Sequence, residues 1–213
     1  KRFERHPICQ ARSGGGYPHP SYDAGTGRCA FPFRSLPYAK KPISMILKNA
    51  RRVVLHPPSI QSGDLRIDAG KVLESGTRLV PGPGEEVRDL AGKLLMPGFV
   101  CAHTHLNSSL ARGMPGPKSP PRNFADILKK VWWRLDRALD EESIYYSALV
   151  GAIEALRCGT TTLIDHHASP RSIPGSLDII REAVEQVGLR AALCYEVTDR
   201  GGRDGNRGRV ELH

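Results

Sequence analysis

Long apolar runs are missing: nothing in the chain approaches the ~20 consecutive apolar side chains that a bilayer-spanning helix needs. The first thirty residues also lack the hydrophobic centre of a secretory signal. Cysteine is sparse, and Cys9, Cys29, Cys101, Cys158 and Cys194 are odd in number, scattered and nowhere spaced C-x-x-C. A disulfide framework is thereby disfavoured, and reduced thiols in a cytoplasmic protein are the expectation. Acidic residues are outnumbered, which leaves a net charge of +9 and a pI near 9.6. Much of the excess lies in residues 1 to 44, where Lys1, Arg2, Arg5, Arg12, Arg28, Arg34, Lys40 and Lys41 face only Glu4 and Asp23, and in the run from Arg200 to Arg209. Neither stretch interleaves aromatics with its cations or offers a groove-reading helix. Both read as solvated tails, so neither a membrane nor a specific nucleic acid is the expected partner.

The remainder, 39% hydrophobic and 25% charged over the whole 213 residues, is ordinary for one or two globular domains. Residues 1–44 are rich in Gly, Pro, Ser and Arg without a sustained apolar period, and are predicted to be a disordered basic extension, with Met45 expected as the natural start. From Met45 to Met96 short β-like runs alternate with Pro57-Pro58, Ser62-Gly63, Ala69-Gly70, Ser75-Gly76 and Pro81-Gly82-Pro83-Gly84. That spacing predicts a small antiparallel sheet over 45–96.

The stretch from Leu94 to Leu106 organises the rest of the chain. Pro97-Gly98 breaks the backbone pattern, a short apolar segment comes next, and it runs into His103 and His105. On an extended strand these two imidazoles face the same way, roughly 6–7 Å apart at Cα, and can share one metal ion. Histidines that merely pack and hydrogen-bond are the bland alternative. A continuously apolar strand suits a parallel sheet buried on both faces, and its C-terminal end is where parallel α/β barrels place their chemistry. Cys101 shares the parity of His103 and is expected on the same face, one step deeper, as a small core side chain.

Downstream, Phe124, Ile127, Leu128, Val131, Leu135 and Leu139 recur at helical spacing, with Trp132 and Trp133 either packed beside them or forming an aromatic wall over a site mouth. Asp140 reads as the N-cap of a second helix that ends at Gly159, and Ser176 as the N-cap of a third that ends at Gly188. Strands over 160–165 and 189–197 complete an alternation that predicts βαβ units and a parallel sheet. Its mouth gathers Asp165, His166, His167 and Glu196. Adjacent strand residues face opposite ways, so only one of His166 and His167 can point inward on a regular strand. Glu196 is an acid or base candidate, or simply a solvated carboxylate.

The run MPGFVCAHTHLNSSLARG closely resembles the first barrel strand of the amidohydrolase superfamily, in the branch that holds cytosine, guanine and S-adenosylhomocysteine deaminases and the triazine chlorohydrolases. GTTTLIDHHASP and GLRAALCYEV are most similar to SsnA-type aminohydrolases, and the resemblance covers Met45 to Arg203. It implies a partial (β/α)8 barrel over 97–213, truncated after about three βα units, preceded by part of a β-sandwich over 45–96. It also implies that His103 and His105 are ligands of a catalytic Zn or Fe ion. The implied chemistry is hydrolysis of a non-peptide C–N bond in a small molecule, an amino-substituted heterocycle, by metal-activated water. His166, His167 and Glu196 are outside candidates for acid–base work. The full-length parent could assemble as a homo-oligomer. Because a full barrel takes ~250 residues, the 213-residue chain is expected to be an inactive N-terminal fragment. The alternatives are a non-catalytic scaffold of the same fold and a basic nucleic-acid-associated protein that uses the two arginine-rich tails.

Overall fold

The computed structural model describes residues 21–23, 28–30 and 44–198. Strands β1 (Ser21–Asp23) and β2 (Arg28–Ala30) pair antiparallel with Tyr22 opposite Cys29, a hairpin in the unit Lys1–Pro42. It is a local pairing that a composition average does not reveal. The rest of the predicted N-terminal extension and the basic run beyond Arg200 lie outside the described residues.

The unit from Ile43 onward holds two sheets. In the first, β3 (Met45–Leu55) and β4 (Pro58–Asp68) form a long hairpin, and β5 (Lys71–Gly76) adds to the far edge of β4. The segments before and after Asn49 form one strand here. They are joined across a bulge at Asn49, whose φ of 55° sits in the left-handed region that asparagine tolerates. Buried Asp64 holds this irregularity. Its carboxylate accepts the Leu79 N–H at 2.9 Å and the Asn49 N–H at 3.0 Å, and these bonds keep its pKa below the usual carboxylate range. The sheet is mixed, not purely antiparallel as the turn spacing predicted. The excursion through Leu79 and Glu85 carries the chain across to the other edge of β3, so β6 (Glu86–Asp89) and β7 (Leu94–Leu95) run parallel to it.

The second sheet is parallel, in the order β8 (Phe99–Thr104), β9 (Thr160–His167), β10 (Arg190–Tyr195). A 3-10 segment, Leu106–Gly113, leaves β8. The predicted helix after Asn123 is present but uneven: α1 (Phe124–Ile127) and α2 (Trp133–Ala138) are joined by a wider π turn over Leu128–Trp132. Helix α3 (Glu141–Arg157) starts where expected. Asp140 Oδ1 accepts the Ser143 N–H while the Asp140 N–H donates to Ser143 Oγ, both at 2.9 Å, and Gly159 follows the helix with φ +85°. Helix α4 (Ser176–Val187) starts one residue off. Gly175, left-handed at φ +78°, holds the N-cap position, and the Ser176 hydroxyl donates to the Ile173 carbonyl instead.

Helices α3 and α4 cover one face of this sheet. Ile144, Ala148 and Ala152 of α3 and Ile180, Ala183 and Val184 of α4 close over Leu163, Leu193 and Leu106 in one buried cluster. Strand parity then separates the faces. Leu163, Asp165 and His167 are buried on the helix side, whereas Ile164 is 43% exposed on the other. Among the described residues the sheet is three strands wide and open, a partial (β/α)8 barrel.

Candidate metal centre

The apolar start of β8 pairs with β9 across one register shift, between Phe99 and Val100, as far as Cys101 opposite Leu163; the next pair is Thr104 opposite Asp165. One extra residue on β8 therefore bulges the strand over Ala102 and His103. This overturns the expected placement of Cys101. It packs against the helix-side core and its thiol donates to the His103 carbonyl at 3.4 Å, so it does not share the face of the histidine pair. The parity argument assumed an unbroken ladder.

His103 and His105 do converge. Their Nε2 atoms are 3.1 Å apart and their rings meet edge to face, centroids 4.8 Å apart, at the exposed end of the strand. Nδ1 of His105 lies 2.8 Å from the carbonyl oxygen of His166. A carbonyl can only accept, so Nδ1 carries the proton, and in the neutral ring Nε2 is left with its lone pair facing His103. Two nitrogens each ~2.05 Å from one ion at a tetrahedral angle stand roughly 3.3 Å apart. The pair is therefore spaced and oriented as two ligands of a divalent ion. A backbone acceptor on the remote nitrogen is the usual way of orienting such a ligand. Among the described residues, no group of three His, Cys, Asp or Glu side chains is arranged to hold a metal.

The other candidates separate. His166 flanks the pair, its ring edge-on to His105 with centroids 5.5 Å apart. His167, next in sequence, turns to the opposite face and is fully buried, Nε2 2.8 Å from Ser169 Oγ and its ring against Tyr195. The Ser169 hydroxyl donates to the Ser172 carbonyl at 3.0 Å, so His167 must be the donor to Ser169, which leaves Nδ1 as a buried acceptor. Burial, with His166 adding to it, drives the His167 pKa down to about 4, so the ring is neutral near pH 7. Asp165 is also fully buried, beneath the pair and not at the mouth. Burial pushes its pKa up to about 6, against the opposing effects of the Leu106 N–H and of His105. Glu196 lies just past β10, half-buried, with its backbone N–H on the His167 carbonyl at 2.8 Å. Trp132 is exposed and Trp133 half-buried at the π turn.

Two features escaped the sequence. One is the pair of bonds from the end of β9 to the histidine strand, Leu106 N–H to Asp165 Oδ1 at 2.7 Å and His105 to the His166 carbonyl. The other is the polar set behind the sheet, in which Asn107 Nδ2 reaches Asp136 Oδ1 at 3.1 Å and the Ser169 N–H donates to the Tyr195 hydroxyl at 2.9 Å. Three of these four bonds use a backbone group, which no motif displays, and the fourth joins side chains 29 residues apart.

Comparison with known proteins supplies a context for this geometry. The pattern of the Amidohydrolase family matches residues 94–212. A 5'-deoxyadenosine deaminase of Methanobrevibacter smithii is 34% identical over 160 residues, 74% of this chain and 34% of that protein. A 5-methylthioadenosine/S-adenosylhomocysteine deaminase of Thermococcus sibiricus is 30% identical over 159 residues, 75% of this chain and 35% of that protein. Among solved structures, an atrazine chlorohydrolase from Arthrobacter aurescens complexed with zinc superposes with a TM-score of 0.59 at 22% identity, covering 71% of this chain and 35% of that one. An N-isopropylammelide isopropylaminohydrolase from Burkholderia multivorans gives 0.54 at 21% identity, with 71% and 37% covered. The chain thus matches about a third of the length of these relatives.

Proposed function

This chain belongs to the amidohydrolase family, and from that premise we propose that it carries the first two ligands of a metal-dependent aminohydrolase, His103 and His105. The observation that carries the reading is the convergence of their Nε2 atoms to 3.1 Å, with the His105 Nδ1–H tied to a backbone carbonyl. Imidazole suits zinc and iron alike, and the zinc complex of the structurally similar chlorohydrolase supports zinc. A divalent ion held by His103 and His105 would supply hydroxide at neutral pH, since coordination takes the pKa of water from ~15.7 toward ~7, and would thereby suit hydrolysis at a carbon that bears an amino group.

The chain's own residues supply orientation. The His166 carbonyl holds the proton of His105 on Nδ1, and the His166 ring forms a wall beside the pair. The substrate class we propose is an amino-substituted heterocycle, supported by the deaminase names of relatives that act on adenosine derivatives. Catalytic zinc usually has three protein ligands, and the described residues offer two. The 213-residue chain by itself is thus expected to bind metal weakly and to release no ammonia from an aminopurine nucleoside.

The test is a Co(II) titration of the chain followed by its visible absorption, with an ammonia assay on 5'-deoxyadenosine in parallel. His103→Ala and His105→Ala should each weaken binding about tenfold or more, at least the loss that removing an outer-shell partner of a ligand brings. Unchanged affinity in both variants sinks the metal reading, and turnover by the unaltered chain sinks the claim that these two ligands are insufficient.

A further inference from the structure

We infer that Asp165 is a positioning residue for the metal-facing imidazole of His105, acting through the backbone of Leu106. The inference rests on the metal-centre reading above and adds a residue to it. Three observations lead there. First, the ladder between β8 and β9 is interrupted by the bulge between Cys101 and Thr104, which takes in His103, and its last pair is Thr104 opposite Asp165, so ladder pairing stops one residue short of His105. Second, a different hold takes over just beyond His105. The Leu106 N–H donates 2.7 Å to Asp165 Oδ1, and both residues are buried. A carboxylate taking a backbone N–H makes a charge-assisted bond that is stronger than the ladder bond it replaces. Third, the next residue of β9 supplies the carbonyl that fixes the proton on His105 Nδ1 at 2.8 Å. The two contacts therefore pair consecutive residues of β9, Asp165 and His166, with consecutive residues just past the end of β8, Leu106 and His105.

The geometry makes them interdependent. If Leu106 moves away from β9, His105 moves with it and its Nδ1–H leaves the carbonyl. The ring is then free to take the other tautomer, whose Nε2 carries a proton and cannot ligate. The far side of Leu106 is held too, since its carbonyl accepts the Ser147 hydroxyl at 2.6 Å. Asp165 thus fixes the one face of this residue that looks toward the histidines. Its second oxygen, Oδ2, is buried and meets no donor among the described residues, so the carboxylate commits itself to this one backbone contact. A residue needed only for packing could be replaced there by an apolar side chain without disturbing the imidazole.

The experiment reads the tautomer of His105 from imidazole 15N shifts in the metal-free chain, together with Co(II) affinity. The unaltered chain should show the proton on Nδ1. Asp165→Ala should mix the two tautomers and weaken Co(II) about tenfold or more, whereas Asp165→Asn, which keeps an oxygen acceptor at the same reach, should restore both readouts to within about threefold. Ile46→Ala, a core truncation in the first sheet and outside the cluster that holds Leu106, should lower stability yet leave both unchanged. Should Asp165→Ala not fold, Asp165→Glu serves: it keeps the charge but shifts the oxygens by one methylene, and is expected to lose affinity several-fold. The inference is overturned if the unaltered chain protonates Nε2 of His105, or if the Ala and Glu variants keep the Nδ1–H tautomer and bind Co(II) within twofold of the unaltered chain. Indifference of Co(II) binding to both His103→Ala and His105→Ala overturns the metal reading instead, and the tautomer ratio still decides the role of Asp165.

Discussion

His167 and Asp165 occupy the same buried face of β9, two residues apart, and burial acts on them with opposite sign. Desolvation disfavours the charged form of each, which lowers the histidine and raises the aspartate. The histidine titrates near 6.5 when unfolded and about 4 when folded, so the unfolded chain binds more protons in between. Its contribution to stability is complete above pH 6.5 and is lost as pH falls toward 4. The aspartate works the other way. With a folded pKa of about 6, its contribution is present at low pH and is lost as pH rises through 6. Comparing the chain with His167→Gln cancels the aspartate to first order, since both proteins retain it. The prediction is that the stability advantage of the unaltered chain shrinks by roughly 2–3 kcal/mol between pH 7 and pH 4.5, measured by urea unfolding. An advantage that grows on acidification would mean that His167 is protonated in the folded state, and the buried-neutral description would be wrong.

At the scale of elements, the site depends on how closely α3 approaches the 3-10 segment that leaves β8. Gly151 is where that approach happens. A Cβ built on it would stand 2.5 Å from Ser109 Oγ and 2.7 Å from Leu106 Cδ2. In an open helix, glycine to alanine gains up to ~1 kcal/mol from propensity alone. Here overpacking works against it at ~1–3 kcal/mol, and Leu106, fixed by bonds at its N–H and carbonyl, cannot retreat easily. Gly151→Ala is thus expected to lower the melting temperature and weaken Co(II) binding together; an increase in melting temperature would show that the 3-10 segment yields.

The same scale explains what the sequence could and could not convey. Periodicity exposed α3 and α4, and cap chemistry located Asp140 and Gly159, because each is a local signal repeated in the helix itself. The H-x-H pair read as convergent, and its nitrogens do meet. The bulge that takes in His103 was invisible. Parity counting treats a strand as unbroken, so one extra residue misplaced Cys101. The partners of His105 and Asp165 are backbone groups, which carry no letter of their own. Likewise the parallel entry of β6 and β7 is set by where a loop returns, a long-range matter that turn residues do not encode.

For the molecule as a whole, the covered and uncovered faces of the parallel sheet differ in kind. The helix side is a closed apolar cluster. The other side leaves Val100 62% and Ile164 43% exposed beside the histidine pair, and Phe99 at the start of β8 is 55% exposed. A parallel sheet is normally buried on both faces, and contiguous exposed apolar strand residues next to unpaired edges favour association. The first sheet adds to this, with Leu55, Ile60, Val72 and Leu73 all more than half exposed. The isolated chain, 23.4 kDa as a monomer, is therefore expected to bind a hydrophobic dye and to sediment above that mass at tens of micromolar. Ile164→Lys tests whether the face beside the metal centre is responsible. Its side chain stands on the open side of β9, away from the helix-side core, so the charge meets water in the monomer and is desolvated only on association. The variant should keep its helix content and move toward monomer with reduced dye binding. Equal association in the two proteins would move the cause to the first sheet, where Val72→Lys on β5 is the corresponding change, and a dye-silent monomer at all concentrations would refute the exposed-face account outright.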